Sequence, residues 1–150
     1  MLAVPLDYRR PGGRTIKIAV SRVKHTSSAA DYQGVMLANP GGPGGSGLFL
    51  AAFGQFMPNN SGISYDWIGF DPRGVGASRP SLSCKPYYNH GDRPPYVPTT
   101  DRILHRWLVR AQSYADACRD SAPRLLDHMK TTDSARDMNR IRRALGVKKI

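Results

Sequence analysis

Acidic residues and cysteines are both scarce in this 150-residue chain, with 11 Asp and Glu against 22 Lys and Arg, and two cysteines in all. Two thiols, Cys84 and Cys118, do not make a structural metal site, which takes four ligands at set spacing. Paired, they close a loop whose entropy is worth about 3–4 kcal/mol; unpaired, they are two small buried side chains. Long hydrophobic runs are missing as well, so no membrane span is expected. The opening Met1-Leu2-Ala3-Val4-Pro5-Leu6-Asp7 is too short, and meets charge too soon, to be a secretory signal. The formal net charge of +11 raises nucleic acid as a partner. Yet the basic residues are scattered, with mild concentrations only at Arg9-Arg10 and from Arg136 to Lys149. No aromatic–basic RNA-binding motif or zinc-finger spacing accompanies them, so no nucleic-acid partner is expected. An apolar fraction of 40% and a charged fraction of 22% exclude wholesale disorder. The length fits one domain.

What is abundant is glycine, concentrated in Asn39-Pro40-Gly41-Gly42-Pro43-Gly44-Gly45-Ser46-Gly47. The run follows Gly34-Val35-Met36-Leu37-Ala38, continuously apolar as in a strand covered on both faces. It precedes Leu48 to Phe53, which suits a short helix. Upstream, Thr15 to Val23 alternates apolar and polar residues like a half-buried strand. The polar stretch from Lys24 to Gln33 suits a hairpin into the strand at Gly34. Tyr65 to Phe70 reads as a further strand, ending in Asp71-Pro72-Arg73-Gly74-Val75-Gly76-Ala77-Ser78. Strand, turn, helix, strand is the pattern of a parallel βαβ unit.

From Arg79 to Thr100 five prolines bar regular structure. Thr100 or Asp101 then caps a helix with an apolar stripe at Ile103, Leu104, Trp107, Leu108, Ala111, Tyr114, Ala115 and Cys118. A second helix is expected from Thr131-Thr132-Asp133, its inner face Ala135, Met138, Ile141 and Leu145, with Gly146 just past its end. Val147-Lys148-Lys149-Ile150 resembles the approach to another strand.

A strand feeding a glycine-rich turn aims backbone N–H groups into open space, where they stabilise a phosphate or a developing oxyanion. A phosphate loop of the Gly-x-x-x-x-Gly-Lys-Ser/Thr kind requires a lysine that reaches the phosphates. Leu48 stands in that position, which argues against nucleotide. The oxyanion reading fits better. Asn39 to Gly47 and Asp71 to Ser78, together with Val4-Pro5-Leu6-Asp7-Tyr8 and the stretch Ala135-Arg136-Asp137 to Ala144-Leu145-Gly146, resemble the tripeptidyl and prolyl aminopeptidase branch of the α/β-hydrolases, in its secreted actinobacterial form.

That resemblance covers almost the whole chain. It implies an α/β fold that is the N-terminal portion of an α/β-hydrolase: leading antiparallel strands, then a parallel βαβ, stopping before the nucleophile elbow. Residues 1–150 are then an incomplete hydrolase domain. It further implies that Gly42 donates its N–H to the oxyanion, with Gly41, Pro43 and Gly44 shaping the turn. A Cys84–Cys118 bridge and a secreted or cell-envelope location also follow from it. The substrate of the complete enzyme is a peptide, and no metal or organic cofactor is implied.

No Gly-x-Ser-x-Gly elbow occurs anywhere in the chain. In this fold the triad runs serine, acid, histidine, so His25, His90, His105 and His128 precede any triad serine and read as loop or surface residues. Ser46 and Ser78 read as turn hydroxyls rather than nucleophiles. The chain alone is therefore expected to be inactive. The alternatives are a non-catalytic binding module that kept the turn, or a fragment of an esterase or epoxide hydrolase of the same fold.

Overall fold

The alternating stretch Thr15–Val23 is the strand around which the sheet assembles. The computed structural model describes residues 1–150. They divide into two units, Met1–Ser81 with His128–Ile150, and Leu82–Asp127. In the first unit β1 (Leu2–Pro5), β2 (Thr15–Val23), β3 (Gly34–Ala38) and β4 (Tyr65–Asp71) form one four-stranded sheet in the order β1-β2-β4-β3. β1 runs antiparallel to β2, with Val4 opposite Ile16. β2 runs antiparallel to β4, with Ala19 opposite Asp71. β3 runs parallel to β4, with Leu37 opposite Ile68. The leading antiparallel strands and the parallel pair are those the sequence predicts.

Two strand expectations change. β2 and β3 do not form a hairpin: β4 lies between them. Every residue of β4 from Asp66 to Asp71 is buried, and a strand so enclosed pairs on both sides. Nor is β3 covered on both faces. It is the edge strand of this sheet, and Met36 stays 40% exposed. The β3–β4 crossover carries a 3-10 helix, Leu48–Phe56, that packs on β2 and β4. Glycine allows this close contact: a Cβ at Gly54 would lie 2.2 Å from Trp67 Nε1.

In helix α2, Thr131–Ala144, Ile141 is buried and Met138 half-buried as the apolar pattern indicates, but the inner face also takes in two carboxylates. Its buried residues are Asp133, Asp137 and Ile141, one turn apart, while Ala135 is exposed. Neither Thr131 nor Thr132 caps it. The Asp133 carboxylate does, accepting from the Lys130 N–H at 3.3 Å.

The buried carboxylate of Asp137 meets Arg73, whose side chain is 1% exposed. Arg73 Nε and Nη2 donate to Asp137 Oδ2 and Oδ1, each at 2.8 Å. Nη1 donates to the carbonyls of Leu6 (3.1 Å) and His128 (2.6 Å), and Nη2 also to Pro5 (3.2 Å). These contacts engage all five guanidinium N–H groups. Tyr8 adds a hydrogen bond from its hydroxyl to Asp137 Oδ1 at 2.7 Å. Burial, and then this donation to a carboxylate, push the Tyr8 phenol well above its ordinary range. Burial alone would lower the Arg73 pKa, but Asp137 outweighs it and the guanidinium is held charged.

In the second unit, α1 (Asp101–Ser121) starts at Thr100, whose Oγ1 accepts from the Ile103 N–H at 3.3 Å. Its apolar stripe is only partly buried. Cys118 is enclosed, whereas Leu104, Leu108 and neighbouring Val109 are exposed. Cys84 and Cys118 are joined by a disulfide that ties the proline-rich segment to the last turns of α1.

Removing one partner of a buried, fully bonded ion pair typically costs about 3–5 kcal/mol, because the other charge is left unmatched. Asp137→Leu and Arg73→Met are each expected to lower stability by that much in urea unfolding. The double variant is expected to lose less than the sum, and a single-variant loss below about 1 kcal/mol would contradict the clamp. Replacing both cysteines with alanine is expected to lower stability by about 4 kcal/mol through loop entropy. Hydrogen exchange should then accelerate in α1 while β2 and β4 keep their protection.

Candidate functional site

The glycine-rich turn leaves the C-terminal end of β3 and is built from backbone angles that suit glycine. Gly41, Gly42 and Gly44 have φ of +76°, +125° and +98°. Asn39 Oδ1 accepts from the Gly41 N–H at 2.9 Å, and the Gly41 carbonyl accepts from the Gly45 N–H at 3.2 Å. The N–H groups of Gly42 and Gly44 take no acceptor within the chain, and residues 39–44 are exposed. Pro43, between them, has no N–H to offer. The turn presents unpaired donors to solvent at the strand end. Beyond it the chain presses directly on β4: a Cβ at Gly47 would lie 2.2 Å from the Phe70 carbonyl oxygen.

The second turn, Asp71 to Ser78, leaves the C-terminal end of β4, beside the first. One side chain joins the two. Asp71, fully buried, accepts at Oδ1 from Ser46 Oγ (2.7 Å) and the Gly47 N–H (2.8 Å), and at Oδ2 from the Ala77 N–H (2.7 Å). At Gly76 a Cβ would come within 2.4 Å of Oδ2, so glycine is required there by the carboxylate itself. Ser78 Oγ donates to the Asp71 carbonyl at 2.7 Å and accepts from the Ala19 N–H at 2.9 Å, pinning the turn to β2. Burial raises the Asp71 pKa, but the donors from Ser46, Ala77 and Gly47 outweigh it and hold it below the ordinary carboxylate value.

Both serines singled out in the sequence are thus engaged in holding Asp71 and its turn. The histidines lie elsewhere. The His25 ring packs on Tyr32 at 4.4 Å between centroids, and the His25 backbone N–H donates to Asp66. His90 sits edge-on to Tyr87, and the His128 carbonyl serves Arg73. No three His, Cys, Asp or Glu side chains converge to hold a metal, and no helix is long and apolar enough to cross a membrane. Sequence reasoning grouped Asp71 with its turn but assigned no role to its carboxylate. The available signal was a charged residue closing an otherwise apolar strand, followed by proline.

The depressed pKa sets the sign of a pH effect. The stabilisation from Asp71 is complete above the unfolded value near 3.8 and is lost as pH falls through the lower folded value. Asp71→Asn turns an amide NH₂ toward Ser46 and Gly47 or toward Ala77, donor against donor. It is expected to cost about 1–3 kcal/mol at pH 7. The fall in stability below pH 4 should also become shallower. Urea unfolding between pH 3 and 7 checks both, and an unchanged acid limb would show that Asp71 does not titrate with folding.

Residues 34–150 match the family model described as the α/β hydrolase fold. Tripeptidyl aminopeptidase of Streptomyces lividans is 40% identical over 159 residues, which take in 99% of this chain and 28% of the relative. Serine protease Hip1 of Mycobacterium tuberculosis is 36% identical over 155 residues, 99% of this chain and 29% of the relative. Carboxylesterase B of the same organism is 35% identical over 150 residues, 95% of this chain and 28% of the relative. The chain therefore spans under a third of the length of these relatives. A match that runs from the first residue of β3 through both turns to Ile150 makes the chain a member of the α/β hydrolase fold family.

Proposed function

We propose that residues 1–150 are the N-terminal part of a serine hydrolase domain that releases N-terminal residues or short peptides. In this reading the acyl group passes to a serine and then to water. The observation that carries it is the unpaired Gly42 N–H in an exposed turn at the end of β3, locked to β4 through Asp71. A donor aimed at the oxygen on which charge develops lowers the barrier because it is already oriented when the tetrahedral intermediate forms. Gly41 and Gly44 supply the permissive angles, Pro43 stiffens the turn between them, and the Asp71 knot fixes its base. The serine, the acid and the histidine that act on the substrate lie outside this sequence. The peptidase names of relatives from two genera support a peptide substrate.

A second reading, ester hydrolysis, draws support from the likeness to carboxylesterase B. The turn itself does not discriminate, because esters and amides pass through the same kind of oxyanion. Peptide chemistry is preferred on the higher identity of the aminopeptidase relative.

The 150-residue chain is expected to show no hydrolysis of tripeptide anilides or short acyl esters, and no labelling by a fluorophosphonate. The gene product extended past Ile150 is expected to be labelled at one serine beyond that point and to cleave the anilides faster than the esters. Specific labelling of any serine within residues 1–150 would sink the proposal. In the extended protein Gly42→Ala moves the backbone off a φ of +125° and re-aims its N–H. It is expected to lower kcat by about 10²–10³-fold with folding retained.

A further inference from the structure

Within the Leu82–Asp127 unit, the proline-rich segment and α1 line an open cleft of about 790 Å³, a size ordinary for small-molecule sites. We propose that this cleft binds a small organic carboxylate carrying an apolar or aromatic body.

Charge is the first reason. Lys85, Arg106 and Arg110 line the cleft, and Asp92 is the single carboxylate among its walls. None of the three cations takes part in an ion pair within the chain. Three uncompensated cations around one concavity repel one another, and an anion between them relieves that repulsion. Arg106, Arg110 and Ser113 are spaced to share one face of α1. Lys85 Nζ hydrogen-bonds Ser113 Oγ, which brings its ammonium to the same wall. The Cys84–Cys118 bridge adjoins Lys85 and holds its segment on the helix.

Arg110 is the second reason. Its guanidinium lies over the Tyr88 ring at 4.3 Å from the centroid, and its Nη2 donates to the Tyr88 carbonyl. Tyr88 in turn packs on Tyr114 at 4.4 Å between centroids. The group is thus fixed in plane. Its Nε, however, is buried and has no hydrogen-bond partner, the one buried side-chain nitrogen or oxygen in the chain of which that is true. A buried N–H on a cation is costly to leave unmatched and calls for an acceptor. A planar guanidinium with a free donor is suited to a carboxylate. Besides the His105 imidazole, the lining includes the apolar or aromatic Tyr87, Val109 and Pro94, and the volume far exceeds that of a bare ion. Hence an organic body behind the charged group, rather than inorganic anion alone.

The ¹⁵N-labelled chain titrated with N-acetylphenylalanine tests this. The readouts are the Arg110 Nε–H resonance and the amides of Lys85 to Ser113. A saturable shift is expected with the acid, and none with N-acetylphenylalaninamide at the same concentration. Arg110→Lys keeps the charge but loses the planar donor set, and Lys85→Gln removes a second charge from the same wall. Each is expected to weaken binding at least about tenfold, in protein whose amide spectrum outside the unit is unchanged. The proposal is overturned if the amide binds as tightly as the acid, or if the acid gives no saturable shift. Inorganic phosphate binding more tightly than the acid, or both variants retaining full affinity, would overturn it equally.

Discussion

The pairing of Arg73 with Asp137 is the constraint on which the first unit rests. It joins segments far apart in sequence: the end of β1 through the carbonyls of Pro5 and Leu6, the turn after β4 through Arg73 itself, the segment leading into α2 through the His128 carbonyl, and α2 through Asp137. A hydrophobic contact would hold these pieces near one another without fixing their register. A planar guanidinium with five directed donors fixes position and rotation together. Its desolvation cost is offset only because every donor is matched. The resulting geometry brings α2 against the sheet with carboxylates turned inward, which an apolar-stripe reading of that helix does not anticipate.

The candidate site depends on a second carboxylate two residues earlier. Asp71 ends the central strand, and its two oxygens hold the glycine-rich turn on one side and the Ala77 amide on the other. A turn with several positive φ values has little cohesion of its own, since glycine loses the most entropy on being fixed. Anchoring its base at Ser46 and Gly47 leaves the tip, with the Gly42 donor, as the part that faces solvent. Asp71 and Arg73 flank a single proline, so the short stretch after β4 organises the turn above the sheet and clamps the helix to it.

Much of this was legible from local pattern. The strands at Thr15, Gly34 and Tyr65, the cap at Thr100 and the parallel β3–β4 pair follow from periodicity and turn residues, which are properties of neighbours in sequence. What was not legible depends on residues far apart in sequence. The pairing of Asp137 with Arg73 spans 64 residues, and no spacing rule links them. The insertion of β4 between β2 and β3 is likewise a decision about which strand is most enclosed, made by the whole sheet. On α2, Asp137 reads as a polar position until its partner is known, and Ala135 as an apolar one until the packing leaves it outside.

The shortage of acid with which the composition is marked has a structural counterpart. Every one of the 11 acidic residues is an aspartate, the carboxylate whose short side chain reaches nearby backbone amides. Asp7, Asp66, Asp71 and Asp133 each accept from a main-chain N–H. Asp66, Asp71, Asp133 and Asp137 are buried, against Arg73 alone among the cations. Asp66 is held below its usual range, burial opposing and the His25 amide and Arg22 prevailing. The acids of the first unit are therefore concentrated where they join segments, and the basic excess is displaced to the surface. Net charge computed over the whole chain understates how positive that surface is, because the interior carries the opposite sign. The carboxylates that hold the fold of this unit thus leave its surface more basic than the composition alone suggests.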